Sequence, residues 1–106
     1  MTVLEKAILD RFKALLSKRM NPYKLILFGS RARGDAEPSS DMDLLVVMEG
    51  MLSEKDSDFV SDCAWEAGFE SGIVVVPVVY TRSEWENSPE RYSLFARAIE
   101  KEGVLL

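Results

Sequence analysis

The 106-residue chain predicts a small α/β (α+β) fold, a sheet of three or four strands packed with helices. Stretches with apolar residues spaced three and four apart alternate with short runs of valine, isoleucine and leucine, the periods of helix and strand. Turn-forming residues punctuate each change, at Asn21-Pro22, Gly29-Ser30, Glu49-Gly50 and Gly72. The length suits one domain, residues 1–106, with a real but small core. Alternation of this kind, taken alone, favours a parallel sheet.

The elements follow in order. Thr2 and Glu5 have the spacing of a capping box, and Leu4, Ala7, Ile8, Phe12, Leu15 and Leu16 form an apolar stripe, which predicts a helix over about Val3 to Arg19. Asn21-Pro22 ends it. The first strand, about Tyr23 to Phe28, is apolar on both faces except at Lys24, the mark of a central position. Arg31 to Gly34 can form a helical turn, residues 35–40 a polar connector, and Asp41 to Met48 the second strand.

Ser53 and Asp56 offer another cap for a helix from Glu54 to Ala67, with Phe59, Val60, Cys63, Ala64 and Ala67 inward and residues 68–72 as a connection. Ile73 to Thr81 is a valine-rich third strand, and Pro77 within it points to an edge or a bulge. Ser83 to Glu86 repeats the capping spacing for a short helix carrying Trp85. Glu90 to Lys101 reads as the last helix, with Tyr92, Phe95 and Ile99 inward and Gly103 as its C′ stop. The apolar tail Val104-Leu105-Leu106 either tucks onto the core or faces another subunit.

The chemistry gathers between Lys24 and Met48. An apolar strand stops at Gly29-Ser30, and the next strand opens on Asp41 and Asp43. Alternation in a strand puts these two carboxylates on one side, where they can share a cation. Oxygen ligands of this kind suit Mg²⁺ or Mn²⁺. Gly29 permits a close backbone approach, and Ser30 adds a hydroxyl and an N–H for an anion. A metal-bridged polyphosphate fits both features; an ordinary turn and a solvated strand edge would produce the same residues singly. Lys24, Arg31 and Arg33 form an expected basic cluster beside this loop. Ser40 is read as a turn residue.

Gly29-Ser30, Arg33-Gly34, Ser40-Asp41, Asp43-Leu44 and Val46 together resemble the signature of the minimal nucleotidyltransferase (MNT-type) domains of the DNA polymerase beta-like superfamily. The spacing of ten residues between Ser30 and Asp41 matches that family's motif. Ile73 to Tyr80, Ser83-Glu84-Trp85 and Glu102-Gly103-Val104 look like the later strand and tail of stand-alone members. The resemblance implies the nucleotidyltransferase fold, with a mixed sheet in place of a parallel one. It also implies Asp41 and Asp43 as catalytic and metal-holding residues for Mg²⁺ or Mn²⁺ on ATP or another nucleoside triphosphate. Gly29 and Ser30 would hold the terminal phosphates. Arg33 would touch phosphate or pin the loop to Asp35 or Asp41, the pinning role being favoured. The implied reaction is nucleotidyl transfer, for example of AMP onto a protein hydroxyl.

One departure stands out. Active members usually add a third carboxylate from a later strand, and Ile73 to Tyr80 carries no acid on either face; Glu70 and Glu84 merely flank it. Stand-alone members also imply a helical partner of the HEPN type, in toxin–antitoxin pairs where the nucleotidyltransferase is the antitoxin, and a homodimer is the other way to cover an open site. Two readings follow: a transferase of weak or partner-dependent activity, and a catalytically inactive nucleotide-binding or antitoxin-like module.

Composition narrows the classes further. A net charge of −5 argues against direct nucleic-acid binding, which needs a basic face. With no histidine and one cysteine, there is neither an imidazole base nor an internal disulfide; Cys63 reads as a small buried thiol. No apolar stretch is long enough to span a bilayer and the N-terminus has no signal-like core, so the default location is cytoplasmic.

Overall fold

The computed structural model describes residues 1–87, 89 and 93–106. Its elements are α1 (Val3–Leu16), β1 (Lys24–Phe28), α2 (Ser30–Arg33), β2 (Met42–Met48), α3 (Glu54–Phe69), β3 (Val75–Thr81), α4 (Arg82–Asn87), α5 (Leu94–Glu102) and β4 (Val104–Leu105). The strands lie in the order β3-β2-β1-β4, with β2 and β3 parallel and the other neighbours antiparallel. The sheet is therefore mixed. Between β1 and β2 the chain has only the single turn of α2 and a polar loop, with no helix long enough to pack back across the sheet as a parallel crossover usually does.

β2 reads as a continuous apolar run because both of its faces are covered. Met42, Leu44, Val46 and Met48 pack with Ile8, Phe12 and Leu16 of α1 and with Val60, Cys63 and Ala64 of α3. Leu45 and Val47 face the other way, onto Trp85, Ala96 and Ile99. Trp85 and Cys63 thus belong to the core, and burial pushes the Cys63 thiol up, assisted by the charges of Glu66 and Asp62. The edge position of β3 explains Pro77. The Val74 carbonyl accepts the Met42 N–H at 2.9 Å, so by alternation Val76 and Val78 turn their backbones to β2 while Pro77 turns its own to the open side.

Several boundaries depart from the sequence reading. α1 stops at Leu16 rather than Arg19, and its buried side is Glu5, Ile8, Leu9, Phe12 and Leu16, with Leu4 and Ala7 outside. The stripe is rotated because Glu5 is drawn inward by an ion pair with Arg31. α3 continues through Gly68 to Phe69; a Cβ at Gly68 would collide with the Ile73 carbonyl, so the glycine serves close packing rather than a turn. The box at the start of α4 is Thr81 with Glu84, two residues earlier than expected. Gly103 closes α5 with φ −67°, so it is no left-handed stop; a side chain there would meet the Ile99 carbonyl and Ile26.

The tail joins the sheet, with Leu106 packed on the core and Val104 and Leu105 left exposed. Val104 and Leu105 add β4 to β1, and the Leu106 N–H reaches the Leu25 carbonyl at 2.9 Å. Phe95 stays at the rim, its ring edge-on to Phe28 at 5.4 Å, while Ile99 is buried. The expected helix start at Glu90 and the inward placement of Tyr92 lie outside the described residues. No helix among the described residues is long and apolar enough to cross a membrane.

Candidate functional site

Phe28 is opposite Asp43 in the β1–β2 register, so the end of one strand meets the start of the next. Gly29 follows with φ 76° and ψ −157°, a region open essentially to glycine alone. A Cβ at this position would lie 2.5 Å from Asp43 Oδ2. The Asp43 carboxylate therefore rests against bare backbone, and any larger residue would fill that space. The Gly29 carbonyl accepts the Ala32 and Arg33 N–H groups, each at 3.1 Å, which winds α2. The Ser30 hydroxyl has no hydrogen-bond partner among the described residues.

The loop that delivers Asp41 is held from below by Arg31. This side chain is 6% exposed; its Nε and Nη2 donate to the Ser40 carbonyl at 3.0 and 2.8 Å, and Nη2 also reaches the Pro38 carbonyl at 3.1 Å. Nη1 pairs with Glu5 Oε2 at 3.0 Å. Burial works to raise the Glu5 carboxyl, but hydrogen bonds from Thr2 and Arg31 hold it below the usual carboxylate range. Ser40 Oγ accepts the Glu37 N–H at 3.0 Å, the turn role expected of it.

The expected basic cluster does not form. Lys24 starts β1 at the end away from Gly29, about 16 Å off at ~3.3 Å per residue, and its ammonium sits over Tyr23. Arg31 spends its charge on Glu5 and two carbonyls. Only Arg33 stays beside the loop, with Nε on Asp35 at 3.2 Å and Nη1 on Glu102 of α5 at 3.4 Å.

β2 starts at Met42, so Asp41 lies just before the strand rather than in it; its charge still acts on Asp43, the first carboxylate exposed and the second half-buried. Neither forms a hydrogen bond or ion pair with a described residue. The Asp43 carboxyl is raised above its ordinary value by burial and by the charge of Asp41, with the charge of Arg33 opposing. Two crowded carboxylates that form no ion pair with a described residue and are only partly offset by Arg33, beside a backbone hollow and the Ser30 hydroxyl, make a donor set that fits Mg²⁺. That ion is usually held by one or two carboxylates together with substrate phosphates. The fit is to a cation arriving with a triphosphate, since the described residues contain no group of three or more His, Cys, Asp or Glu able to hold a metal.

β3 supplies no further acid. Val76 stands directly beside Asp43, and Val74 precedes it on the same side. Glu84 lies past the other end of β3, engaged with the Thr81 N–H at 3.0 Å, and Glu70 ends α3.

The family described as "Nucleotidyltransferase domain" matches residues 5–106. The chain belongs to that family. Two relatives from Methanocaldococcus jannaschii, each named "putative protein adenylyltransferase", support the nucleotidyltransferase domain from sequence. One is 36% identical over 102 residues, covering 95% of this chain and 96% of the relative. The other is 32% identical over 60 residues, covering 57% of this chain and 61% of the relative. A solved toxin–antitoxin structure with AMP-PNP shares the nucleotidyltransferase fold at a TM-score of 0.62 and 17% identity, covering 91% of this chain and 69% of the other.

The residues that sequence reasoning missed at this site are Glu5 and, in its true role, Arg31. The capping box marked Glu5 as a local cap. Nothing in the local pattern signals an ion pair that spans 26 residues.

Proposed function

We propose that this nucleotidyltransferase domain binds ATP with Mg²⁺ or Mn²⁺ at Gly29, Ser30, Asp41 and Asp43, and transfers AMP to a hydroxyl group of a protein. The observation that carries this reading is the Asp43 carboxylate packed against the Gly29 backbone and raised by burial and by the charge of Asp41. The relatives' name favours adenylyl transfer to protein, and the AMP-PNP of the structural neighbour accords with ATP.

Asp41 and Asp43 would hold the metal through carboxylate oxygens. When bound, the metal supplies charge neutralisation on the triphosphate. The Gly29 backbone lets the phosphates approach, the Ser30 hydroxyl donates to a phosphate oxygen, and Arg31 keeps Asp41 in place through Ser40. The charge of Arg33 reaches Asp43, where it opposes burial and Asp41, and Arg33 would exchange Asp35 or Glu102 for a phosphate. The acceptor oxygen bonds to the α-phosphorus as the bond to the bridging oxygen of the β-phosphate breaks, and pyrophosphate leaves. The acceptor's proton passes to solvent, because β3 offers no base beside Asp43.

General-base help is worth about 10²–10⁴-fold, so transfer by the isolated chain is slow. A protein partner, of the helical HEPN type in a toxin–antitoxin pair, or a second copy would serve as acceptor or activator in the cytoplasm. The valines beside Asp43 favour one alternative, a catalytically inactive antitoxin-like module that keeps nucleotide affinity.

The test is transfer of labelled AMP to candidate partners by the wild type, Val74→Asp and Val76→Asp, with Val75→Asp as the opposite-face control. An acid beside Asp43 is expected to raise slow transfer, by up to about 10²-fold. No transfer by any variant, with ATP binding retained, selects the inactive module.

A further inference from the structure

α3 turns two aromatic rings to solvent. Trp65 and Phe69 are 66% and 64% exposed, and their ring centroids lie 4.7 Å apart. With Ile73, Val74 and Pro77 at the open edge of β3 they line a groove of about 520 Å³. Neither ring serves the core, which α3 meets through Val60, Cys63, Ala64 and Ala67. Exposed apolar area of this kind, with an indole at its centre, is the usual mark of a docking surface.

The charges around the groove indicate what covers it. Asp58, Asp62, Trp65 and Phe69 follow at spacings of four, three and four, so they form one exposed stripe of the helix. Asp58, Asp62 and Glu70 pair with no described cation, and Glu66 has only an exposed contact to Arg11 at 3.5 Å. The last turn of α3 contains no basic residue. Glu66 and Glu70 therefore stand at the negative end of the helix, where acids are unfavourable. The negative field reaches the buried Cys63 thiol, which Glu66 and Asp62 push up further after burial, with Lys18 opposing. The free chain thus carries two costs on one surface, and a partner that is both apolar and cationic relieves both.

We propose that the α3–β3 groove docks a basic amphipathic helix of a partner protein, its apolar face over Trp65 and Phe69 and its lysines or arginines against Asp58, Asp62 and Glu70. A second copy related by a two-fold axis would set these acids against themselves. Nucleic acid carries the wrong sign. Strand addition is obstructed because Pro77 has no N–H on the open side of β3. A helix seated here would stand next to the strand start that carries Asp41, since the Val74 carbonyl binds the Met42 N–H. Docking rests on Trp65, Phe69 and the acids of α3 and does not depend on the nucleotide reading, so a failure of ATP binding would leave it standing.

The test uses two synthetic amphipathic helical peptides with identical leucine faces, one with lysine and arginine on the polar face and one with glutamate. Binding is read by calorimetry on the wild type and by Trp65 emission in Trp85→Phe. The basic peptide is expected to shift Trp65 emission to the blue and to bind more weakly with added salt; the glutamate peptide is expected not to bind. Trp65→Ser/Phe69→Ser should weaken the basic peptide at least about tenfold, as for removal of central aromatic anchors. Asp58→Lys/Asp62→Lys should reverse the preference. Equal binding to the wild type and to Trp65→Ser/Phe69→Ser would overturn the assignment, leaving charge alone. So would a wild-type dimer in sedimentation that Trp65→Ser/Phe69→Ser dissolves, because a second copy would then cover the groove.

Discussion

β2 meets acidic side chains at both ends, and the protein treats them differently. At the C-terminal end the Glu49 carboxylate receives Arg82 at 3.3 Å; that guanidinium also holds Glu86 and lies 4.1 Å over the Tyr23 ring. At the N-terminal end Asp41 and Asp43 crowd each other, and Asp43 is held above its ordinary value by burial and by its neighbour. The nearest arginines serve other partners: Arg31 is turned into the protein and Arg33 is tied to Asp35 and Glu102. The chain thus neutralises one end of the strand and leaves the other charged, the contrast on which the proposed nucleotide site rests.

The contrast can be broken hardest through the scaffold beneath the charged end. Arg31→Met leaves Glu5 buried without its partner and is expected to cost about 3–5 kcal/mol in urea unfolding. Glu5→Gln in the same chain should recover part of that loss. The pH dependence has a defined sign: Glu5 is lowered in the folded state, so its stabilisation is present above its unfolded value and is lost as pH falls through the folded one.

Gly29→Ala acts on the charged end itself. The added Cβ meets Asp43 Oδ2 in a backbone region that alanine avoids, so a loss of about 1–3 kcal/mol is expected, together with loss of ATP binding. The mirror substitution at the neutralised end, Gly50→Ala, also sits at positive φ but has nothing within 4 Å, so it should strain the turn and leave ATP binding intact.

The smallest effect carries the clearest sign. Because Asp43 is raised when folded, its cost is absent at pH below its unfolded value and complete above its folded one. Asp43→Asn is therefore expected to raise Tm by a few degrees at neutral pH, a gain that fades as the solution is acidified. Glu49→Gln should leave Tm level or slightly lower, as for an exposed pair. A Tm that falls for Asp43→Asn would mean the carboxylate has a partner in the free protein.

What the sequence made legible was local. Gly29-Ser30 and the near pair of Asp41 and Asp43 declare themselves within a few residues, although β2 begins only at Met42, and the caps at Thr2 and Ser53 form as spaced. The inward turn of Arg31 was hidden because its partner Glu5 is remote in sequence and already had a local role as a cap. β4 has two residues, too few to show a period, and its place depends on the open edge of β1. The exposed rings of Trp65 and Phe69 could not be read from α3 alone, since helix periodicity shows that a face exists and not whether another element covers it.

The most direct measurement is calorimetric titration of ATP with Mg²⁺ into the wild type and Asp41→Asn/Asp43→Asn. Metal-dependent binding by the wild type, lost in the double variant while its Tm holds or rises, is the predicted result. Equal binding by the two proteins would contradict a nucleotide site built on these carboxylates.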